Sequence, residues 1–254
     1  MPKEPILEIA GITKHFGGIT AVDGLDLEVQ PGEAVGIIGP NGSGKSTLVN
    51  LITGFIRADD GRVIFKGKNI TRTPAHKIAS NGIARSFQMA RPFGTLPAYK
   101  NLIVPLSSPR VARRRSGRYG DRDEMAVHLL EDVGFERESQ IPYKSAAELP
   151  HGYLKRLELG RCLAMDPEVM ILDELFSGMS MSEVAGALPI LEQLRDDGIT
   201  LIMVEHRLRE LFRVVDKVIV LDFGRKIAEG SPEEVMKEPE VKEAYLGAEA
   251  EEHA

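Results

Sequence analysis

Apolar and polar positions change rhythm along this chain, and the changes predict its elements. Leu25, Leu27 and Val29 alternate with Asp26, Glu28 and Gln30, the period of two expected of a strand with one buried face. Pro31-Gly32 then turns the chain into AVGIIG, an apolar run from Ala34 suited to a strand buried on both faces. A glycine-rich segment follows directly, and beyond it Leu48, Leu51 and Ile52 fit a helix. GRVIFKGKNIT, from Gly61, reads as further strand. From about Pro92 to Met165 helical signals dominate, among them MAVHLLEDVGF with Gly134 as its C-cap. The α/β alternation then returns in EVMILDE, TLIMVEH and DKVIVLD, three short apolar runs that end in acidic or polar residues. Buried parallel strands read this way when functional groups sit at their C-terminal ends. The pattern predicts an α/β chain with a mainly parallel sheet and, in GAEAEEHA, a frayed tail.

The 254 residues suffice for one large α/β domain, or for a core with an inserted subdomain. The single cysteine, Cys162, excludes an internal disulfide, fits a reducing compartment and reads as a small core residue on a helix. A net charge of −6 gives the chain as a whole no electrostatic case for nucleic acid. The start, MPKEPILEIAG, lacks the features of a signal peptide, and no apolar run approaches the roughly 18 residues of a membrane span. A soluble protein is expected, with any membrane role supplied through a partner. Six arginines between Arg110 and Arg122 read as a solvated loop, with contact to anionic lipid head groups as the sharper alternative.

The chemistry concentrates in GPNGSGKST, which runs Gly39, Pro40, Asn41, Gly42, Ser43, Gly44, Lys45, Ser46, Thr47. A loop that wraps a phosphate needs inward-pointing backbone N–H groups, and glycine permits the dihedrals and the close approach. Lys45 supplies a point charge for the β- and γ-phosphates, and the Ser46 hydroxyl is placed to ligate Mg²⁺. The helix beginning near Thr47 adds its N-terminal dipole. Downstream, VMILDEL sets Asp173 and Glu174 at the end of a buried strand. Asp173 would hold the metal, directly or through water, and Glu174 could polarise an attacking water.

With these residues in place, the chain resembles the ATP-binding cassette (ABC) ATPases over nearly its whole length. The resemblance implies a P-loop NTPase, RecA-like core with an N-terminal antiparallel β subdomain, over residues 1–91 and 166–246. It implies an inserted helical subdomain over 92–165, followed by a flexible tail from 247 to 254. It also implies ATP and Mg²⁺ as ligands. Phe16, in KHFGG, sits where the family stacks an aromatic on adenine. Gln88, in ARSFQMARPF, matches the glutamine that senses Mg²⁺ and the γ-phosphate, and His206, in LIMVEHRL, matches the switch histidine. Ser177, Gly178, Met179 and Ser180 fall on the loop that contacts the opposite subunit.

The family's LSGGQ signature is replaced here by Leu149-Pro150-His151-Gly152-Tyr153. In the family the serine hydroxyl and a glycine N–H reach the γ-phosphate held by the other subunit. Pro150 has neither hydroxyl nor N–H, so those contacts are lost, at roughly 1.5–3 kcal/mol for one charge-assisted bond. Gly152 and the helix start beyond it could still present N–H groups to a phosphate. Leu175 stands where proline is usual and Ser180 where aspartate is common. The expectation is pairing with a second ABC ATPase subunit, a different one by preference, together with membrane permeases and, indirectly, a solute-binding protein, and with no nucleic acid. KHFGGITAVDGLDLEV, EHRL and RKIAEGSPEEVMKEPEVKEAYLG are similar to the branched-chain amino-acid importer subgroup, which places the chain on the inner face of the cell membrane. A urea or amide importer, an exporter and a nucleotide sensor with little turnover are the rival readings.

Overall fold

A computed structural model of the chain describes residues 4–87, 91–114, 121–136 and 138–252, with side chains as far as residue 245. Its strands are β1 (Leu7–Phe16), β2 (Ile19–Val29), β3 (Ala34–Ile38), β4 (Asp60–Phe65), β5 (Lys68–Asn69), β6 (Ile83–Arg85), β7 (Val169–Asp173), β8 (Thr200–Val204), β9 (Lys217–Asp222) and β10 (Arg225–Gly230). Its helices are α1 (Lys45–Ile52), α2 (Ala75–Asn81), α3 (Ile103–Leu106), α4 (Pro109–Arg114), α5 (Arg122–Asp132), α6 (His151–Leu163), α7 (Met181–Asp196), α8 (Leu208–Leu211), α9 (Pro232–Val235) and α10 (Pro239–Glu252).

The strands form two sheets. An antiparallel sheet has the order β2-β1-β4-β5, and a six-stranded sheet has the order β10-β9-β3-β8-β7-β6. In the larger sheet β9, β3, β8, β7 and β6 are parallel, and β10 pairs antiparallel at the edge. The apolar runs of β3, β7 and β8 are unbroken because both faces of this sheet are covered. Ala34, Ile38, Met170, Leu172, Leu201 and Met203 pack into one core layer with α6 and α7. Val35, Ile37, Val169, Ile171, Ile202 and Val204 pack on the other face, against α1 and the antiparallel sheet. β3 is flanked by β8 on one side and β9 on the other, so its C-terminal end opens onto the crevice where α/β sheets bind ligands.

The helix carrying MAVHLLEDVGF ends as its sequence predicts. The Phe135 N–H donates to the Leu130 carbonyl and the Gly134 N–H to the Glu131 carbonyl, while Gly134 takes φ +86°. Cys162 is buried on α6, and that burial pushes its thiol well above the usual range. The arginine run departs from the expectation of a solvated loop. Arg110 is buried, donating to the Asp166 and Asn81 carbonyls and pairing with Glu168 at 3.0 Å. Arg114 pairs with Asp166 at 3.1 Å, so the described part of this run staples α4 to the segment ahead of β7. α10 continues through Glu252, past residue 247 where the frayed tail was expected to begin.

Candidate functional site

The phosphate loop leaves β3 after Ile38 and enters α1 at Lys45. Gly39 lies at φ +149°, and a Cβ there would collide with the Leu221 carbonyl of β9. Gly44 caps α1 at φ +103°, where a Cβ would stand 2.5 Å from the Ala21 carbonyl of β2. Only glycine lets the loop lie this close to both neighbours. The Gly224 N–H, in the turn between β9 and β10, braces the loop from outside by donating to the Ser43 carbonyl at 3.0 Å. The first-turn N–H groups of α1, those of Lys45, Ser46 and Thr47 among them, have no carbonyl within the helix to meet. Lys45 is buried, and its Nζ folds back on the loop, donating to the Gly39 and Pro40 carbonyls at 2.8 and 2.7 Å. Burial lowers its pKa, while Glu174 and Asp173 pull the other way. An ammonium, a helix N-terminus and a loop free of acidic side chains fit a polyphosphate.

Asp173 ends β7, and its N–H donates to the Ser86 hydroxyl at 3.1 Å. Its carboxylate pairs with Arg85 at 2.7 Å, both side chains being nearly buried. Arg85 also donates to Asn50 at 2.6 Å and lies over the rings of Phe55 and Phe87. Glu174 takes the left-handed backbone, φ +50°, and donates its N–H to the Val204 carbonyl at 2.9 Å. Its carboxylate lies 3.3 Å from His206 Nε2, at the end of β8. Lys45, Asp173, Glu174 and His206 thus converge at the C-terminal ends of β3, β7 and β8. Gln88 lies outside the described residues, between Phe87 and Arg91. Phe16 is half exposed at the tip of the β1–β2 hairpin, with Lys14 Nζ 5.3 Å from its ring centroid.

Pro150, His151 and Gly152 stand apart from this cluster. Pro150 is the N-cap of α6 and makes no side-chain cap. His151 Nε2 lies 3.2 Å from the Ser177 carbonyl. The Gly152 N–H, expected to be open to a phosphate, instead donates to Glu183 Oε1 at 3.1 Å. Glu183 Oε2 accepts the Ser180 N–H and hydroxyl, each at 2.8 Å, so one carboxylate caps α7 and holds the start of α6.

Residues 22–177 match the family model described as ABC transporter. The chain belongs to the ABC transporter family. Within it, residues 225–251 match a second model, described as branched-chain amino acid ATP-binding cassette transporter. The high-affinity branched-chain amino acid transport ATP-binding protein BraF of Pseudomonas aeruginosa is 35% identical, the alignment covering 96% of this chain and 98% of that protein. Among solved structures, the ADP conformation of MJ1267, an ATP-binding cassette of an ABC transporter, superposes with a TM-score of 0.82 at 34% identity, over 96% of this chain and all of the other. The dimeric structure of the bacterial cassette MJ0796 shares the fold, with a TM-score of 0.78 at 23% identity over 89% of this chain and 98% of that one.

As an ABC ATPase the chain hydrolyses ATP. The glycine-rich segment joins β3 to α1, Asp173 ends β7, and His206 follows β8 beside Glu174. Four residues that bond to this arrangement escaped the sequence reading. Glu183 carried a local signal, the Ser180-x-x-Glu capping box. Glu205 is an acid at the end of an apolar strand, as Asp173 is. Arg85 and Lys155 had no local signal, because their partners come from distant elements.

Proposed function

We propose that this chain powers an importer of branched-chain amino acids from the inner face of the cell membrane, paired with a second and different ABC ATPase subunit beneath the permeases. The observation that carries the solute class is the match of residues 225–251 to the branched-chain cassette model. Among the described residues no helix is long and apolar enough to cross a membrane, which agrees with permeases being separate chains.

In this reading Lys45 leaves the Gly39 and Pro40 carbonyls to meet the β- and γ-phosphates, while the N–H groups of the loop and of α1 cradle them. Phe16 offers its exposed face to the adenine. Ser46, Gln88 and Asp173 would hold Mg²⁺, directly or through water, with one Asp173 oxygen held by Arg85. When bound, the ion neutralises charge on the phosphate oxygens. Glu174 orients the attacking water and accepts its proton, and His206 contacts the γ-phosphate and steadies the Glu174 carboxylate. The helices between residues 92 and 165 carry the motion to the permeases.

A different partner is favoured by the start of α6. Pro150 brings no hydroxyl, and the Gly152 N–H is committed to Glu183, so this chain completes its partner's site poorly while its own phosphate loop and Glu174 are intact. The test is steady-state ATP hydrolysis and leucine, isoleucine and valine uptake by the transporter reconstituted in vesicles. Glu174→Gln should lower turnover at least about 100-fold with ATP binding retained. ATP binding without turnover in the complete assembly would favour a sensor, and uptake of urea or amides alone would move the solute assignment.

A further inference from the structure

Two buried ionisable groups take no part in the steps above. Lys155, on α6, is 2% exposed, and Glu205, after β8, is 3% exposed. Both bear on a feature of Glu174 that needs a cause. A non-glycine residue at φ +50° is uncommon and persists only where its surroundings over-determine it. The turn that follows β7 is pinned from two other elements. From β8, the Val204 carbonyl accepts the Glu174 N–H, and Glu205 Oε1 accepts the Phe176 N–H at 2.9 Å. From α6, Lys155 Nζ donates to the Glu174 carbonyl at 3.1 Å, an oxygen that the Ser177 N–H shares. The Phe176 ring is fully buried beneath the turn.

A lysine is an expensive way to fill this space, since burying an ammonium costs far more than burying an alkyl chain. Burial lowers the Lys155 pKa, and the carboxylates of Glu205, Glu174, Glu158 and Asp173 around it oppose that shift. If packing were the only requirement, leucine or methionine would meet it better. What lysine adds is a donor aimed at the backbone of the residue that must face the attacking water.

We propose that Lys155 is a positioning residue: its ammonium, with Glu205 holding the Phe176 N–H from the other side, fixes the left-handed turn at Glu174 and ties the aim of that carboxylate to the position of α6. Lys155 lies one turn inside the helix that begins at His151, the segment that meets the partner's nucleotide in the proposed pairing. Seating or release of that segment moves Nζ relative to the Glu174 carbonyl. The state of one nucleotide site thereby reaches the hydrolytic residue of the other through a single side chain. This coupling rests on the paired-cassette cycle proposed above and not on the solute, so a wrong solute assignment leaves it intact.

The test uses whichever assembly hydrolyses ATP, this chain alone or with its second cassette, and compares Lys155→Met, Lys155→Arg and the double variant Lys155→Met/Glu205→Gln. Lys155→Met should lower kcat about 10- to 100-fold, as expected when a catalytic group is misplaced by an ångström or less, while KM for ATP stays within about twofold. Lys155→Arg should restore most of the turnover. The double variant removes both buried ionisable groups and should recover the melting temperature but not kcat. Recovery of kcat together with melting temperature would show that Lys155 serves stability alone. A raised KM with kcat kept would likewise overturn the proposal.

Discussion

Glu205 shows how much a single buried acid can impose on the molecule's response to pH. Burial raises its pKa to about 7, with the Glu174 charge acting in the same direction and the Phe176 N–H, the His206 backbone and Lys155 acting against it. The folded pKa is therefore higher than the unfolded one, near 4.3 for a glutamate. Below the lower value both states hold the proton and the group's stabilising contribution is fully present. Between the two values the native state binds more protons than the unfolded chain, so this contribution is lost as pH rises through about 7. Comparing urea unfolding of the wild type and Glu205→Gln from pH 5 to 8 isolates the group. The difference in unfolding free energy should drift against the wild type by up to ~3 kcal/mol across that window, from 1.36 kcal/mol per pKa unit. A difference independent of pH would mean that Glu205 ionises as an ordinary surface carboxylate does.

At the scale of elements, the start of α6 and the start of α7 depend on one carboxylate. Glu183 accepts from Gly152 across the gap and from Ser180 within its own capping box, and a Cβ on Gly152 would stand 2.2 Å from Glu183 Oε1. Gly152→Ala should cost about 1–3 kcal/mol, the usual range for an overpacked site, and should cost less in a Glu183→Ala background, where the obstructing oxygen is gone. Denaturant midpoints of the two single variants and the double variant decide it, since additive losses would deny the contact. This contact also marks where sequence reading stops. The strands β3, β7 and β8 were legible because burial on both faces leaves an unbroken apolar run, and the phosphate loop was legible because glycine and lysine spacing follows from local backbone needs. β1 was not read, although Leu7, Ile9 and Ile12 are all buried in it. An irregularity between Ile9 and Ile12, where Gly11 sits at φ +58°, breaks the period of two. Arg110 was read as a solvated charge, because its acceptors, the Asn81 and Asp166 carbonyls and Glu168, lie far away in sequence. The same holds for Lys155, which on a helical wheel is one charge among several and is buried only by the meeting of α6 with the turn after β7.

For the whole molecule, the proposed pairing would set two ABC cassettes head to tail around two composite sites, and this chain would contribute unequally to them. To its own site it brings an intact phosphate loop, Asp173, Glu174 and His206. To its partner's site, in that pairing, it would bring Pro150 and a Gly152 N–H already bonded to Glu183. Loss of one charge-assisted contact to the γ-phosphate is worth roughly 1.5–3 kcal/mol, or about one to two decades in rate, so the two sites should differ by at least that factor. The difference can be read by placing the same lesion on either side of the pair. Glu174→Gln in this chain should remove most of the ATP turnover of the reconstituted transporter, whereas substituting the corresponding glutamate of the second cassette should leave most of it. If both lesions act equally, the variant signature supports hydrolysis as well as an ordinary one and the sites are equivalent. If only the second lesion abolishes turnover, then Glu174 is silent in the assembled pair and this chain's part in the cycle is to bind ATP and hold the dimer closed.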